Sequence, residues 1–143
     1  MKRLFSPLVT LEAVQKRRGP FSDFLGVELV EVGSDFLKSK LTVRQDHLRS
    51  GGIMNGGVSL GIIETVGSTA SACVLAETGE NCLGIEVSAN HLRTAKVGDV
   101  LTATARPIHV GRKMHVWEVS IENQDKKAVS SGRITMMIVD GQS

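Results

Sequence analysis

One carboxylate stands alone on a long apolar run. Between Asn55 and Ala76 the only charged side chain is Glu64, beside Ile62, Ile63 and Val66 and close to Gly61, Gly67 and Ala70. An ionised carboxylate among so many apolar groups is costly unless it has partners. Ser68, four residues on, would share its helical face, and Thr65 and Ser71 lie within a turn or two. Such a group suits a general base or nucleophile in a sheltered pocket. An ion pair locking an oligomer interface would suit it too, because structural pairs also perturb carboxylates.

Asn55-Gly56-Gly57 opens the same run. Asn is a good N-cap. The two glycines leave the first N–H groups uncovered, where together with the helix dipole they can draw a developing oxyanion. A plain capped helix carries the same signature. Spacing then constrains the chemistry. At 1.5 Å per residue, Gly56 and Glu64 sit about 12 Å apart along one helix, whereas a base and an oxyanion donor must both lie about 3 Å from the reacting group. One helix cannot offer both to one carbonyl. If both act, two copies lie side by side, and the expectation is a symmetric dimer in which Gly56 of one subunit works with Glu64 of the other.

The elements that must hold these groups follow from periodicity. Leu8, Leu11 and Val14 recur at helical spacing, which predicts a short helix over about Pro7 to Arg18, ended by Gly19-Pro20. Leu25 to Val32 and Phe36 to Val43 read as strands, and Gln45 to Met54 as an irregular loop. The long helix then runs from Asn55 to about Glu77. After it the period changes to two. Ile85, Val87 and Ala89 alternate with Glu86, Ser88 and Asn90, predicting a half-buried strand. Val100 to Val110, Met114 to Ile121 and Ala128 to Val139 give three more, with Trp117, Val119 and Ile121 on one face and Val116, Glu118, Ser120 and Glu122 on the other. Strands joined by hairpin-length links favour an antiparallel sheet with one face covered by the helix, an α+β fold.

Composition narrows the function classes. A chain of 143 residues suits one domain, residues 1–143, with a helical segment over 1–20. Seventeen Lys and Arg against fifteen Asp and Glu are too balanced to imply nucleic-acid binding, and aromatics at 3% leave few rings to stack bases. The apolar run contains Glu64 and many hydroxyls, so it reads as a core helix and no membrane association is expected. Cys73 and Cys82 form no C-x-x-C pair, and no motif resembles a metal site. They read as reduced thiols. With no apolar N-terminal run to suggest a signal peptide, a cytoplasmic location is expected.

The stretches Gly51-Gly52-Ile53-Met54-Asn55-Gly56-Gly57, Glu64-Thr65-Val66-Gly67-Ser68 and Ser88-Ala89-Asn90-His91-Leu92-Arg93 together resemble the hotdog-fold acyl-CoA thioesterases. The branch in view holds helix-glutamate 4-hydroxybenzoyl-CoA thioesterase, 1,4-dihydroxy-2-naphthoyl-CoA hydrolase and the phenylacetate-pathway thioesterases. The likeness runs from about Phe21 to Val139. It implies a long helix wrapped by a curved antiparallel sheet, dimers pairing into homotetramers, and hydrolysis of a small or aromatic acyl-CoA without a further cofactor. By the same resemblance, the Gly56 N–H polarises the thioester carbonyl, Glu64 is nucleophile or general base, and Ser68 helps position the water or the carboxylate. Two positions depart from the pattern. Asn55 stands where the family has His, and Arg49 where it has Gln. Asn55 can cap and donate but cannot become cationic, while Arg49 brings a full charge near the thioester or a phosphate.

Coenzyme A carries several phosphate charges, so a basic mouth is expected. His91, Arg93 and Lys96 cluster near one strand end, and Arg106, His109, Arg112 and Lys113 near a hairpin. The resemblance points to Gly57, His91, Arg93, Arg112 and Lys113 as the residues that bind coenzyme A. His47 and His115 read as residues without chemistry. Two other classes stay open: a hotdog acyl-thioester dehydratase or hydratase, which would want a catalytic His where Asn55 stands, and a non-catalytic acyl-CoA-binding dimer.

Overall fold

The computed structural model describes residues 3–141, so the ends of the expected 1–143 domain lie outside the described residues. The elements are α1 (Leu11–Lys16), α2 (Pro20–Leu25), β1 (Glu28–Val32), β2 (Leu37–Thr42), a 3-10 turn (Gln45–His47), α3 (Gly56–Val74), β3 (Asn81–His91), β4 (Val100–Val110), β5 (Met114–Glu122) and β6 (Ala128–Val139). All six strands join one antiparallel sheet in the order β1-β2-β4-β5-β6-β3. The α+β class expected from periodicity is the observed one.

α3 packs across one face of the sheet. Val58, Ile62, Ile63, Val66 and Ala70 turn inward against Leu101, Ala103, Trp117, Val119 and Ile134. Its glycine at 67 has a packing reason: a Cβ there would stand 2.2 Å from Ile134 Cγ2, so helix and sheet touch backbone to side chain. Ser71, fully buried, ties the two layers. It accepts a hydrogen bond from Trp117 Nε1–H (2.7 Å) and its hydroxyl meets His115 Nδ1 at 2.9 Å. α3 is long and apolar enough to cross a membrane by composition alone, but half of it is buried against this sheet, as a core helix.

Three boundaries differ from expectation. Gly19-Pro20 does not close the first helix but opens a second, with Gly19 as N-cap and Pro20 at N1, where its missing N–H costs nothing. Leu25, expected in a strand, is the last residue of α2, and Gly26 at φ 88° ends the helix. β3, expected to be half-buried, is the sheet edge: Leu83 and Ile85 are each 52% exposed and Val87 37%. The alternation is real: past the bulge Val87 and Ala89 lie on the helix side of the sheet beside Ile134 and Gly132, and Ala89 packs against the core while Val87 stays largely uncovered at the edge. By contrast β5 alternates as expected, burying Trp117, Val119 and Ile121.

Candidate active site

The approach to α3 is held at every backbone step. Met54 N–H donates to Ala95 O (2.8 Å) and Asn55 N–H to His47 O (2.9 Å). Buried His47 is itself fixed, accepting from Arg44 N–H at Nδ1 (3.1 Å) and so donating from Nε2 to Leu25 O (2.8 Å). Asn55 caps the helix, its Oδ1 accepting from Gly57 N–H at 2.7 Å. The Gly56 N–H has no partner among the described residues. Thus Asn55 takes up the second glycine's donor and leaves the first one's free at the positive end of the helix dipole.

Around that free N–H lies a cavity of about 340 Å³. Gly56, Arg49, His91, Arg93 and Ser59 line it, and no acidic side chain does. His91 is the nearest: a Cβ on Gly56 would stand 2.6 Å from its Nε2. The Ser130 hydroxyl, which bonds Asn90 O (3.1 Å), also meets His91 Nδ1 at 3.3 Å, so Nε2 is the ring nitrogen turned toward Gly56. Arg93 donates to Ala128 O (2.9 Å) and Arg49 to Ser50 O (2.6 Å), each keeping further N–H groups for a ligand.

Glu64 sits two turns along α3, half-buried and facing away from the sheet's centre. Its carboxylate lies against Gly84 of β3, where a Cβ would come within 2.7 Å of Oε1. Among the described residues it makes no hydrogen bond and no ion pair. Ser68 does not reach it. The Ser68 hydroxyl bonds the backbone carbonyls of Glu64 and, at 3.2 Å, Thr65. Ser71 is spent on His115 and Trp117. Neither Cys is a ready nucleophile: burial pushes the Cys73 thiol up to about 11, against a weaker opposing pull from Arg17, and burial raises Cys82 as well. No group of three or more His, Cys, Asp or Glu among the described residues could hold a metal.

So the protomer brings together Arg49, Asn55, Gly56, Gly57, His91 and Arg93, and keeps Glu64 and Ser68 apart from them. The second basic cluster is farther away. Arg112 and Lys113 lie on the β4–β5 turn, exposed, beside Ile138 and therefore at the Asn81 end of β3. His91 is at the other end, ten residues or about 33 Å along the strand. Sequence reasoning missed the structural use of His47 and His115, which nothing but their buried neighbours reveals.

Comparison with known proteins agrees with this architecture. The family model described as the thioesterase superfamily matches residues 51–130, more than half the chain, from the Gly51-Gly52 loop through β3 and into β6. The 1,4-dihydroxy-2-naphthoyl-CoA hydrolase of Escherichia coli is 30% identical over 132 residues, covering 92% of this chain and 96% of that one. A thioesterase crystal structure from Haemophilus influenzae superposes with a TM-score of 0.90 at 30% identity, over 98% of this chain and 97% of that chain. A variant thioesterase from Pseudomonas aeruginosa gives a TM-score of 0.86 at 33% identity, over 95% and 98%. With α3 cradled in a six-stranded antiparallel sheet and the alignment running through both ends of the site, this chain belongs to the hotdog-fold thioesterase superfamily, a family of thioester hydrolases.

Proposed function

We propose that the chain hydrolyses acyl-CoA thioesters at sites shared between two protomers, with Glu64 supplied by one and Gly56 by the other. The observation that carries this is the pairing of two unfinished groups. The free Gly56 N–H and the unpartnered Glu64 carboxylate are about 12 Å apart on one continuous helix. Each touches β3, Gly56 at His91 and Glu64 at Gly84. β3 is an open edge with apolar side chains exposed, the kind of strand that invites pairing. Paired antiparallel with its own copy about a two-fold near Val87 and Ser88, it would set Gly84 opposite the partner subunit's His91. Both face the helix side of the sheet, so Glu64 would arrive at the partner subunit's Gly56. The same two-fold would carry the partner subunit's Arg112 and Lys113 to the end of the sheet that holds His91 and Arg93.

In this site the Gly56 N–H polarises the thioester carbonyl and stabilises the oxyanion. Glu64 either attacks the carbonyl carbon or takes a proton from the attacking water, and the CoA thiolate leaves and is protonated. Arg49 lies in the same cavity as Gly56 and adds positive charge near the developing oxyanion. Ser68, bonded to the Glu64 carbonyl, fixes the helix turn beneath the carboxylate. His91 and Arg93, with the partner subunit's Arg112 and Lys113, would hold the phosphates and pantetheine. The resemblance favours a small or aromatic acyl group. A homotetramer is supported by the outer face of the sheet, where Leu83, Met137 and Met114 align across three strands and stay exposed.

Thiol release from a panel of acyl- and aryl-CoA esters tests the assignment. Wild type turns over, and Glu64→Ala loses about 10²–10⁴ in kcat while keeping its fold. Hydrolysis that survives Glu64→Ala would sink the role given to Glu64, and binding without turnover in wild type would make the protein an acyl-CoA carrier.

A further inference from the structure

A second cavity, about 440 Å³, runs beside α3 on its outer face, under the N-terminal segment. Its floor carries Thr65, Ser68, Thr69, Ala72 and Cys73 in succession, its roof is the α1 segment with Val9 and Val14, and Cys82 of β3 closes one side. We propose, resting on the hydrolase reading above, that this groove is the acyl chamber and that, past the small or aromatic groups the resemblance favours, it also admits an extended hydrocarbon chain, with α1 setting the accepted length.

Three observations support the assignment. The near end lies at Glu64: Thr65 and Ser68 flank it in the helix, and Cys82 is two residues before Gly84, which the carboxylate touches. A carbonyl held at Glu64 therefore has its acyl substituent at the mouth of the groove. The lining is also dry in hydrogen-bonding terms. Ser68 spends its hydroxyl proton on helix carbonyls and Thr69 spends its own on Thr65 O at 2.7 Å. A hydroxyl has only one proton to give. Of the three hydroxyls that α3 turns to the groove, only that of Thr65, next to the reacting carbonyl, keeps its proton for a ligand. The charged groups Arg17, Arg18 and Glu77 lie exposed at the rim, where Arg18 pairs with Asp23 at 2.8 Å and Glu77 accepts from Ser6. Beyond Thr65 the floor on α3 thus offers hydrocarbon and spent hydroxyls, with Arg17, Arg18, Glu77 and Asn81 kept to the exposed rim.

The third observation concerns origin and length. The roof belongs to the N-terminal segment from Leu8 onward, outside the 51–130 region that matches the superfamily model. From Glu64, Ser68 is about 6 Å and Ala72 about 12 Å along the helix. With carbon–carbon bonds near 1.5 Å in a zigzag, Ala72 stands beside about the tenth carbon of an extended chain.

Chain-length profiles of Ala72→Trp and the milder Ala72→Leu, both checked for native melting, test the chamber. Filling it at Ala72 should lower the ratio of kcat/KM for decanoyl-CoA to that for butyryl-CoA by about tenfold for Trp, since two or more methylenes lose their burial, and by less for Leu. A second measurement needs no turnover. Alkylation of Cys82 by N-ethylmaleimide, read by mass spectrometry, should slow several-fold in decanoate and not in butyrate. A length profile that Ala72→Trp leaves unchanged, or a Cys82 reactivity indifferent to decanoate, would overturn the proposal. If no acyl-CoA is cleaved at all, the hydrolase reading falls, and the Cys82 result still decides the groove.

Discussion

The two ends of the site on α3 are built to different degrees. At the Gly56 end, Met54, Asn55 and Gly57 each have their backbone donor satisfied, the neighbouring His91 is held by Ser130, and one N–H is left free among the described residues. At the Glu64 end the carboxylate meets Gly84, the nearby hydroxyls are turned away, and the adjoining strand edge is open. Donor organisation is a local problem that one chain solves with a cap and a loop. Carboxylate organisation is left to whatever covers β3. Under the proposed function, the difference makes the protomer half of a site twice over, with the Gly56 end and the Glu64 end each completed by a partner subunit.

The sharpest way to break that comparison is at the edge. Ile85→Asp with Val87→Asp would place charges where a seam must be dry. The expected result is a smaller species in sedimentation and at least tenfold loss of turnover, with the protomer still folded. A fully active monomer would show that the carboxylate end needs no partner.

A smaller effect separates the two ends within one chain. Gly84→Ala brings a methyl to 2.7 Å from Glu64 Oε1 and pushes the carboxylate away. Misplacing a reacting group by about 1 Å can cost up to 10² in rate, so kcat should fall roughly tenfold or more. KM should change little, because the Gly56 cavity is untouched. A rise in KM alone would mean that Gly84 belongs to the binding end.

The smallest effect concerns the floor beneath both ends. Burial, with a lesser contribution from His109, holds the His115 pKa below 6.5. The folded state therefore keeps the ring neutral while the unfolded chain takes a proton below about 6.5. The stability that depends on neutral His115 is fully present above that pH. It is lost as pH falls through 6.5 toward the folded value, and the loss levels off below it. Urea midpoints measured from pH 8 to pH 5 should decline accordingly, and His115→Gln should remove that part of the slope. An identical slope in the variant would release His115 from this role.

Much of this was legible in the residues. Glu64 stands out because a lone charge on an apolar helix is expensive, whereas Asn55-Gly56-Gly57 reads equally as a plain capped helix and gains meaning only beside Glu64 and the resemblance. The β5 face read correctly because its period matches its burial. What stayed hidden depends on distant parts of the chain. Pro20 looks like a stop but serves as a start, since its meaning turns on the next five residues. The exposure of β3 depends on strand order, which periodicity does not encode. The path of the Ser68 hydroxyl is a choice between its own helix and Glu64, invisible to spacing. The separation of Arg112 and Lys113 from His91 within one protomer follows from register alone.

Subunit complementation tests the shared site most directly. Gly56→Pro removes the N–H at N1, a position where Pro otherwise fits a helix, and Gly56→Ala, with a similar Cβ against His91 but the N–H retained, controls for crowding. Mixed with Glu64→Ala subunits, each inactive alone, Gly56→Pro subunits should form heterodimers with one intact site and one doubly defective site. Random pairing then restores about a quarter of wild-type activity, one site in half of the dimers. Verified heterodimers with no recovered activity would contradict a site built from two chains.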